Sequence, residues 1–338
     1  HHAARRHRAR RAGRPMSDEL YGDGQLGLFG ARPSVPPLER WARLAAALPA
    51  HVRFGTSSWT FPGWAGVVYH RAYRNQQAFV RESLEEYARF PLFRTVGIDR
   101  SYYGPIPEKD LRRYAEQLPP GFRCVAKVWK EITTRVFPKQ DRERAGTFNR
   151  RFLDVALFED AVLGPIDAAF AEHQGPFVLE IPPAPGPVNP KGFADAVARF
   201  LANAPRHHTY AFELRDRRLM TPRYFDVLRD LGGAHVFNYW ERMPGLAAQL
   251  EAAGGSVPGV ALVARLMIPP GKRYADLKKA FDPFDRLVAP QPAMRDEVVE
   301  LIDAAGEADV DAWIIANNKA EGSSPLTVIA LADRLATR

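Results

Sequence analysis

Short apolar runs rich in β-branched and aromatic residues recur along the chain, at 52–57, 94–99, 122–128, 176–181, 208–214, 234–239, 260–267 and 311–317. Stretches with helical spacing separate them. In 77–89, for example, Phe79, Val80, Leu84 and Tyr87 fall on one face. Similar amphipathic patterns cover 108–117, 145–158, 192–201 and 221–231. Strands that read apolar on both faces and alternate with helices predict parallel pairing. Eight such units in roughly 290 residues predict a closed (β/α)8 TIM barrel. The rival is an open doubly wound sheet. Against it, Gly55-Thr56-Ser57-Ser58-Trp59 after the first strand lacks the spacing of a dinucleotide loop.

The barrel is expected over 50–338 as a single domain. Residues 16–49 are expected to form a flexible lead-in with a short helix, since Leu38, Trp41, Leu44 and Leu48 recur at helical spacing. Two long loops should follow strand ends, the basic 130–144 (KEITTRVFPKQDRER) and 269–292; the Pro-rich 182–190 (PPAPGPVNP) follows the fourth strand. Long loops on that face of a barrel usually close over a site.

A set of charged, amide and hydroxyl residues falls in the C-terminal halves of the predicted strands, where an apolar run is expected. Ser57 ends the first, Asp99 the second, Lys127 the third and Glu180 the fourth. Glu213 and Arg215 end the fifth, Asn238 lies in the sixth, Arg265 in the seventh, and Asn317 and Asn318 close the eighth. Alternation puts Glu213 and Arg215 on one face, inward if Tyr210, Phe212 and Leu214 meet the helices. Burying an unpaired charge costs several kcal/mol, so these groups either pair or face a solvent-filled pocket. Two readings follow. In one, Lys127, Arg215 and Arg265 bind an anion and Glu213 and Lys127 carry the catalysis. In the other, Glu213 pairs with Lys127 or Arg265 in a structural ion network. Trp59, Tyr102, Tyr103 and Trp240 stand at the same rim, where they either stack on a ligand or pack.

Six of the 47 basic residues are arginines within the first 14 positions; without them 41 basic residues face 39 acidic ones, so the net charge of +8 belongs mostly to the N-terminus. Residues 1–15 begin His-His without Met and precede Met16, which reads as upstream or appended sequence. A single cysteine, Cys124, excludes a disulfide framework and fits a reducing, cytoplasmic setting. No apolar run reaches the 18 or so residues that a membrane span needs. No cofactor is expected. Histidines show no metal-ligand spacing: His207, His208 and His235 begin strands, at the opposite end from the polar residues. An oxygen site for a hard divalent cation, using Asp99, Glu180 and Glu213, remains open.

Several blocks together resemble the domain-of-unknown-function 72 (DUF72, YecE-like) family: GTSSWTFPGWAG at 55–66, IDRSYYGPIP at 98–107, FRCVAKVWKEIT at 122–133, ELR at 213–215, ARL at 264–266 and IIANN at 314–318. The resemblance implies a TIM-type barrel without an assigned activity, with recurring polar positions falling on Lys127, Glu213, Arg215, Arg265 and Asn317. The chain departs from the pattern in carrying Glu180 where relatives commonly have Gln. It also reads Arg265-Leu266-Met267-Ile268-Pro269 where they often have His soon after the arginine.

Residues 25–29, Gln-Leu-Gly-Leu-Phe, resemble the peptide by which bacterial repair proteins dock on the replication sliding clamp, with Leu28 and Phe29 as apolar anchors and Gln25 as orienting group. Three functions are therefore carried forward. The first is a barrel enzyme, a hydrolase or lyase, acting on an anionic, phosphate-bearing substrate. The second is a DNA-associated phosphodiester-processing factor. The third is a non-enzymatic anion-binding module.

Overall fold

The computed structural model describes residues 38–338. Gln25, Leu28 and Phe29 lie outside the described residues. The strands are β1 (Val52–Thr56), β2 (Gly97–Ile98), β3 (Cys124–Lys127), β4 (Gln174–Ile181), β5 (Tyr210–Leu214), β6 (Ala234–Tyr239), β7 (Leu262–Leu266) and β8 (Ala312–Ala316). They form one parallel sheet in the order β1-β8-β7-β6-β5-β4-β3-β2, with helices between successive strands. All eight predicted strands are present; six are trimmed at one or both ends, β6 matches, and β4 begins two residues earlier than expected.

The sheet closes through a side chain as well as through backbone. Between β1 and β2 one amide bond, Arg94 N–H to the Phe54 carbonyl, spans 2.9 Å. Beyond it the Tyr87 hydroxyl, from the helix Gln76–Ala88, enters the seam. It accepts from Thr56 N–H at 2.9 Å and donates to the Thr95 carbonyl at 3.1 Å. Both strands use glycine here because the backbones nearly touch: a Cβ on Gly55 would lie 2.1 Å from the Thr95 carbonyl oxygen. This one-sided pairing explains why β2 is only two residues long.

The period of two sorts the strand residues. Phe177, Leu179, Ile181, Tyr210, Phe212 and Leu214 point out and bury against the helices. Val125, Val178, Ala211, Val236, Val263, Trp313 and Ile315 point inward and fill the lower barrel as a separate apolar cluster. One step further up, the same inward face carries Lys127, Glu180, Glu213 and Arg265 on β3, β4, β5 and β7, and Asn238 and Asn317 on or just past β6 and β8.

Some sequence expectations fail for local reasons. The helix expected over 145–158 begins only at Val155, after a turn with positive φ at Gly146 and Leu153, and Asp154 caps it through Leu157 N–H at 3.0 Å. It continues as a π-turn, Glu159–Leu163, and a last helical segment, Gly164–Ala169. Pro165 offers no N–H and its ring crowds the preceding turn, which favours that widened turn. The 269–292 loop contains the helix Tyr274–Phe281. The N-terminal helix, Leu38–Ala47, is part of the body: Trp41, Leu44 and Ala45 pack on the core, and the Arg94 guanidinium donates to the Ala45 carbonyl at 3.0 Å. The short helix expected ahead of the barrel is thus present at Leu38–Ala47 and docked on it, and the barrel itself begins with Val52. Among the described residues, no helix is long and apolar enough to cross a membrane.

Replacing Tyr87 with Phe should lower the unfolding free energy by about 1–3 kcal/mol, because a buried amide and a carbonyl lose their partner. Gly55→Ala should cost at least as much through backbone collision. Denaturant unfolding curves check both.

Candidate active site at the barrel mouth

Strand register brings like charges together. Glu180 on β4 pairs directly with Glu213 on β5, and Asn238 on β6 with Arg265 on β7. Side by side in a low-dielectric interior, the two carboxylates are stable only with cations between them. Arg215, two residues beyond Glu213 on the same face, supplies one: its Nη2 donates to Glu180 Oε2 at 3.1 Å and lies 2.5 Å from Glu213 Oε1. Arg265 supplies the second, placing Nη1 2.5 Å from Glu213 Oε2 and reaching across the barrel to both oxygens of Asp99 at 2.9 and 2.7 Å. Lys127 completes the ring with Nζ 2.7 Å from Glu180 Oε2 and 3.9 Å from Asp99.

Three cations and three carboxylates thus form one neutral hexad, in which Lys127, Glu213, Arg215 and Arg265 are buried and Asp99 and Glu180 partly exposed. Burial alone would raise the Glu180 carboxyl, but Lys127, Arg215 and Arg265 outweigh it and hold the group well below the usual carboxylate range. Burial would weaken the Arg265 charge, yet Asp99, Glu213 and Glu180 strengthen it. The groups converge in the barrel mouth as the alternation predicts, and each is ion-paired there. Lys127, Arg215 and Arg265 are not three open anion receptors, because each already holds carboxylates. Glu213 is fully buried, with each of its carboxylate oxygens held by a guanidinium group. Guanidinium and ammonium groups stand between the Asp99, Glu180 and Glu213 carboxylates.

The remaining candidates divide. Tyr102 lies under Lys127, whose Nζ is 4.8 Å from the ring centroid, and Trp240 stacks on Arg215 with 3.7 Å between guanidinium carbon and ring centroid. Both rings therefore belong to the rim. Arg215 Nε and Nη1 are buried beneath Trp240 without a hydrogen-bond partner among the described residues. Trp59 does not face the mouth: it is buried edge-on against Tyr114, centroids 5.1 Å apart, and its carbonyl accepts from the Tyr69 hydroxyl. Asn318 points into the wall, where its Oδ1 accepts from Trp64 Nε1, Ser324 N–H and the Ser324 hydroxyl and starts the helix Ser324–Ala336. Asn238 is fully buried and donates to the Leu214 carbonyl at 2.6 Å. Asn318 and Asn238 are thus framework residues. Asn317 donates to the Ser57 hydroxyl at 2.8 Å and accepts from Lys319 N–H at 3.0 Å, so this pair fixes the turn after β8.

That turn presents Lys319, which strand reasoning missed because it lies beyond the strand in a four-residue helix, Asn318–Glu321. Its only signal was a lysine directly after Asn317-Asn318. Lys319 is buried, with Nζ 4.3 Å from the Tyr274 ring centroid and 5.6 Å from that of Phe284. Among the described residues no carboxylate forms a salt bridge to it. Burial, and then the charge of nearby Lys278, lower its ammonium from the ordinary 10.5 to about 8, with Asp99 opposing from longer range. Elsewhere, the basic loop 130–144 partly neutralises itself, Arg144 pairing with Glu131 and Asp141. His235 sits low in the barrel wall between Tyr224 and Gln249, and burial lowers it to about 4, so it is neutral at physiological pH.

Fold and site together define a parallel β/α barrel with a neutralised ionic ring at the C-terminal strand ends and one buried lysine beside it. The chain belongs to the protein family of unknown function DUF72, whose family model matches residues 53–338. It is similar to the crystal structure of a DUF72 family protein from Thermotoga maritima, at 16% identity and TM-score 0.57, over 85% of this chain and 99% of that one. A DUF72 family protein from Enterococcus faecalis is similar at 15% identity and TM-score 0.56, over 85% and 96%. These likenesses carry the fold. None of the curated proteins matches the chain.

Two substitutions should shift stability in opposite directions. Glu213→Gln leaves two buried guanidinium groups short of charge and should cost about 3–5 kcal/mol. Lys319→Met should raise the melting temperature at neutral pH. The unfolded chain holds the Lys319 proton more tightly than the native one between about pH 8 and 10.5, so native stability rises with pH across that window and the charged amine costs stability below it. Thermal unfolding from pH 7 to about pH 10.5 checks both the gain and the loss of that slope in Lys319→Met.

Proposed function

We propose that the protein is a barrel enzyme acting on a small anionic substrate, bearing a phosphate or carboxylate, at the mouth of the barrel. Lys319 is the receiving cation and proton carrier in this reading. The observation that carries it is the buried Lys319 ammonium, with no carboxylate in salt-bridge range among the described residues and with Lys278 close enough to repel it. A fold that pairs the six other charges at the mouth so completely leaves this one at a cost to stability. Such a local conflict is characteristic of functional positions. An anion beside Lys319 relieves both the desolvation and the repulsion.

The hexad then serves as a rigid frame. Being neutral, it contributes little net attraction and leaves the field at the mouth to the lysines. Tyr102, Trp240 and Tyr274 give the apolar wall against which the uncharged part of a substrate packs. A group that titrates near 8 can donate a proton to, or take one from, a bound substrate near neutral pH. In this reading Glu213 and Lys127 hold the frame and Lys319 meets the substrate.

Calorimetric titration with inorganic phosphate, a sugar phosphate and succinate tests the reading. Binding of at least one is expected at about pH 7, weakening by about pH 10 as Lys319 loses its proton. Lys319→Met should abolish binding, and Lys319→Arg should keep it while removing the pH dependence. Equal binding by wild type and Lys319→Met would overturn the assignment.

A further inference from the structure

At the opposite end of the barrel, the fold assembles three side chains that the linear sequence keeps apart. Asp167 comes from the helical segment Gly164–Ala169, and His207 and His208 from the turn that leads into β5. One ligand atom from each lies within 4.8 Å of the other two. The His207 and His208 ring centroids are 4.1 Å apart, and His208 Nε2 is 3.5 Å from Asp167 Oδ1.

The decisive feature is His208. Its side chain is only 9% exposed and packs edge-on against Phe177, ring centroids 5.3 Å apart. Its Nε2 is buried, and its contact to the Asp167 carboxylate at 3.5 Å is a long ion pair rather than a tight hydrogen bond. A buried imidazole nitrogen held so loosely keeps room for a stronger ligand between it and the carboxylate. The other two groups are different: Asp167 and His207 are exposed and can rotate without disturbing the core.

We infer that Asp167, His207 and His208 form a divalent-metal site of the zinc class at the bottom of the barrel, with a fourth position open to water. Two imidazoles and one carboxylate suit zinc, cobalt or nickel and disfavour calcium and magnesium, which prefer all-oxygen shells. Ligand distances of about 2.0–2.1 Å around a tetrahedral ion require the three donor atoms to draw closer than they now stand. The freedom of Asp167 and His207 supplies that movement, while His208 stays anchored. The bound ion would pin the segment Gly164–Ala169 to the entry of β5. This site is independent of the mouth, and its test does not depend on the proposed substrate.

The sequence also carries His1, His2 and His7, which can hold the same ions. The experiment therefore uses the full chain with these three replaced by alanine. Titration with zinc alone, followed calorimetrically, should show one ion per chain. Titration with cobalt alone should give the visible absorption of a tetrahedral site with nitrogen ligands. His207→Ala and Asp167→Asn, both at exposed positions and checked for native circular dichroism, should weaken the binding, and His208→Ala should abolish it. No zinc binding by the parent, or binding unchanged in all three variants, would overturn the site. So would a cobalt spectrum without imidazole ligation.

Discussion

The mouth of this barrel is organised by the need to neutralise charge that has been taken out of water. Six ionised side chains from β2 to β7 and the turns beyond them meet where the dielectric is low, and an unpaired member there costs several kcal/mol. The register makes the problem acute by setting Glu180 beside Glu213. Arg215 and Arg265 answer it with planar guanidinium groups, each able to serve two carboxylates at once. A lysine at either position would offer a point charge without that reach.

The same contacts have a mechanical consequence. The cylinder is least well laced between β1 and β2, where one amide bond and the Tyr87 hydroxyl stand in for a ladder. Arg265 on β7 grips Asp99 at the end of β2 through both carboxylate oxygens. This tie crosses the barrel and anchors the short strand whose other edge is weakly held. Apolar packing below and ion pairing above therefore share the work of closing the barrel: Trp313 and its neighbours fill the bottom, and the hexad fills the top.

Against that neutral background Lys319 stands out by what it lacks. Its neighbours are aromatic rings and another cation, and burial has already made its proton easier to remove. Asn317 and Ser57, marked in the sequence as ligand-facing, act one step back by holding the turn on which Lys319 sits. The candidate site is therefore a fixed ionic frame with a single titrating group mounted on its edge.

Much of this was legible along the chain, because period and position are local properties. Apolar runs alternating with helical spacing predict eight parallel strands, and the alternation within 210–215 correctly turns Glu213 and Arg215 inward. Pattern also placed the charged residues at one end of the barrel. It could not say whether they were free or paired, since that depends on distances between strands such as β2 and β7 that share no ladder. It assigned Trp59 and Asn318 to the mouth because strand-end position alone does not reveal which way a loop side chain turns. It passed over Lys319, and it passed over Asp167 with His207 and His208, because their surroundings come from segments distant in sequence. Periodicity encodes which face a residue takes; only the closed tertiary structure decides which charges meet, and hence which remain available for chemistry.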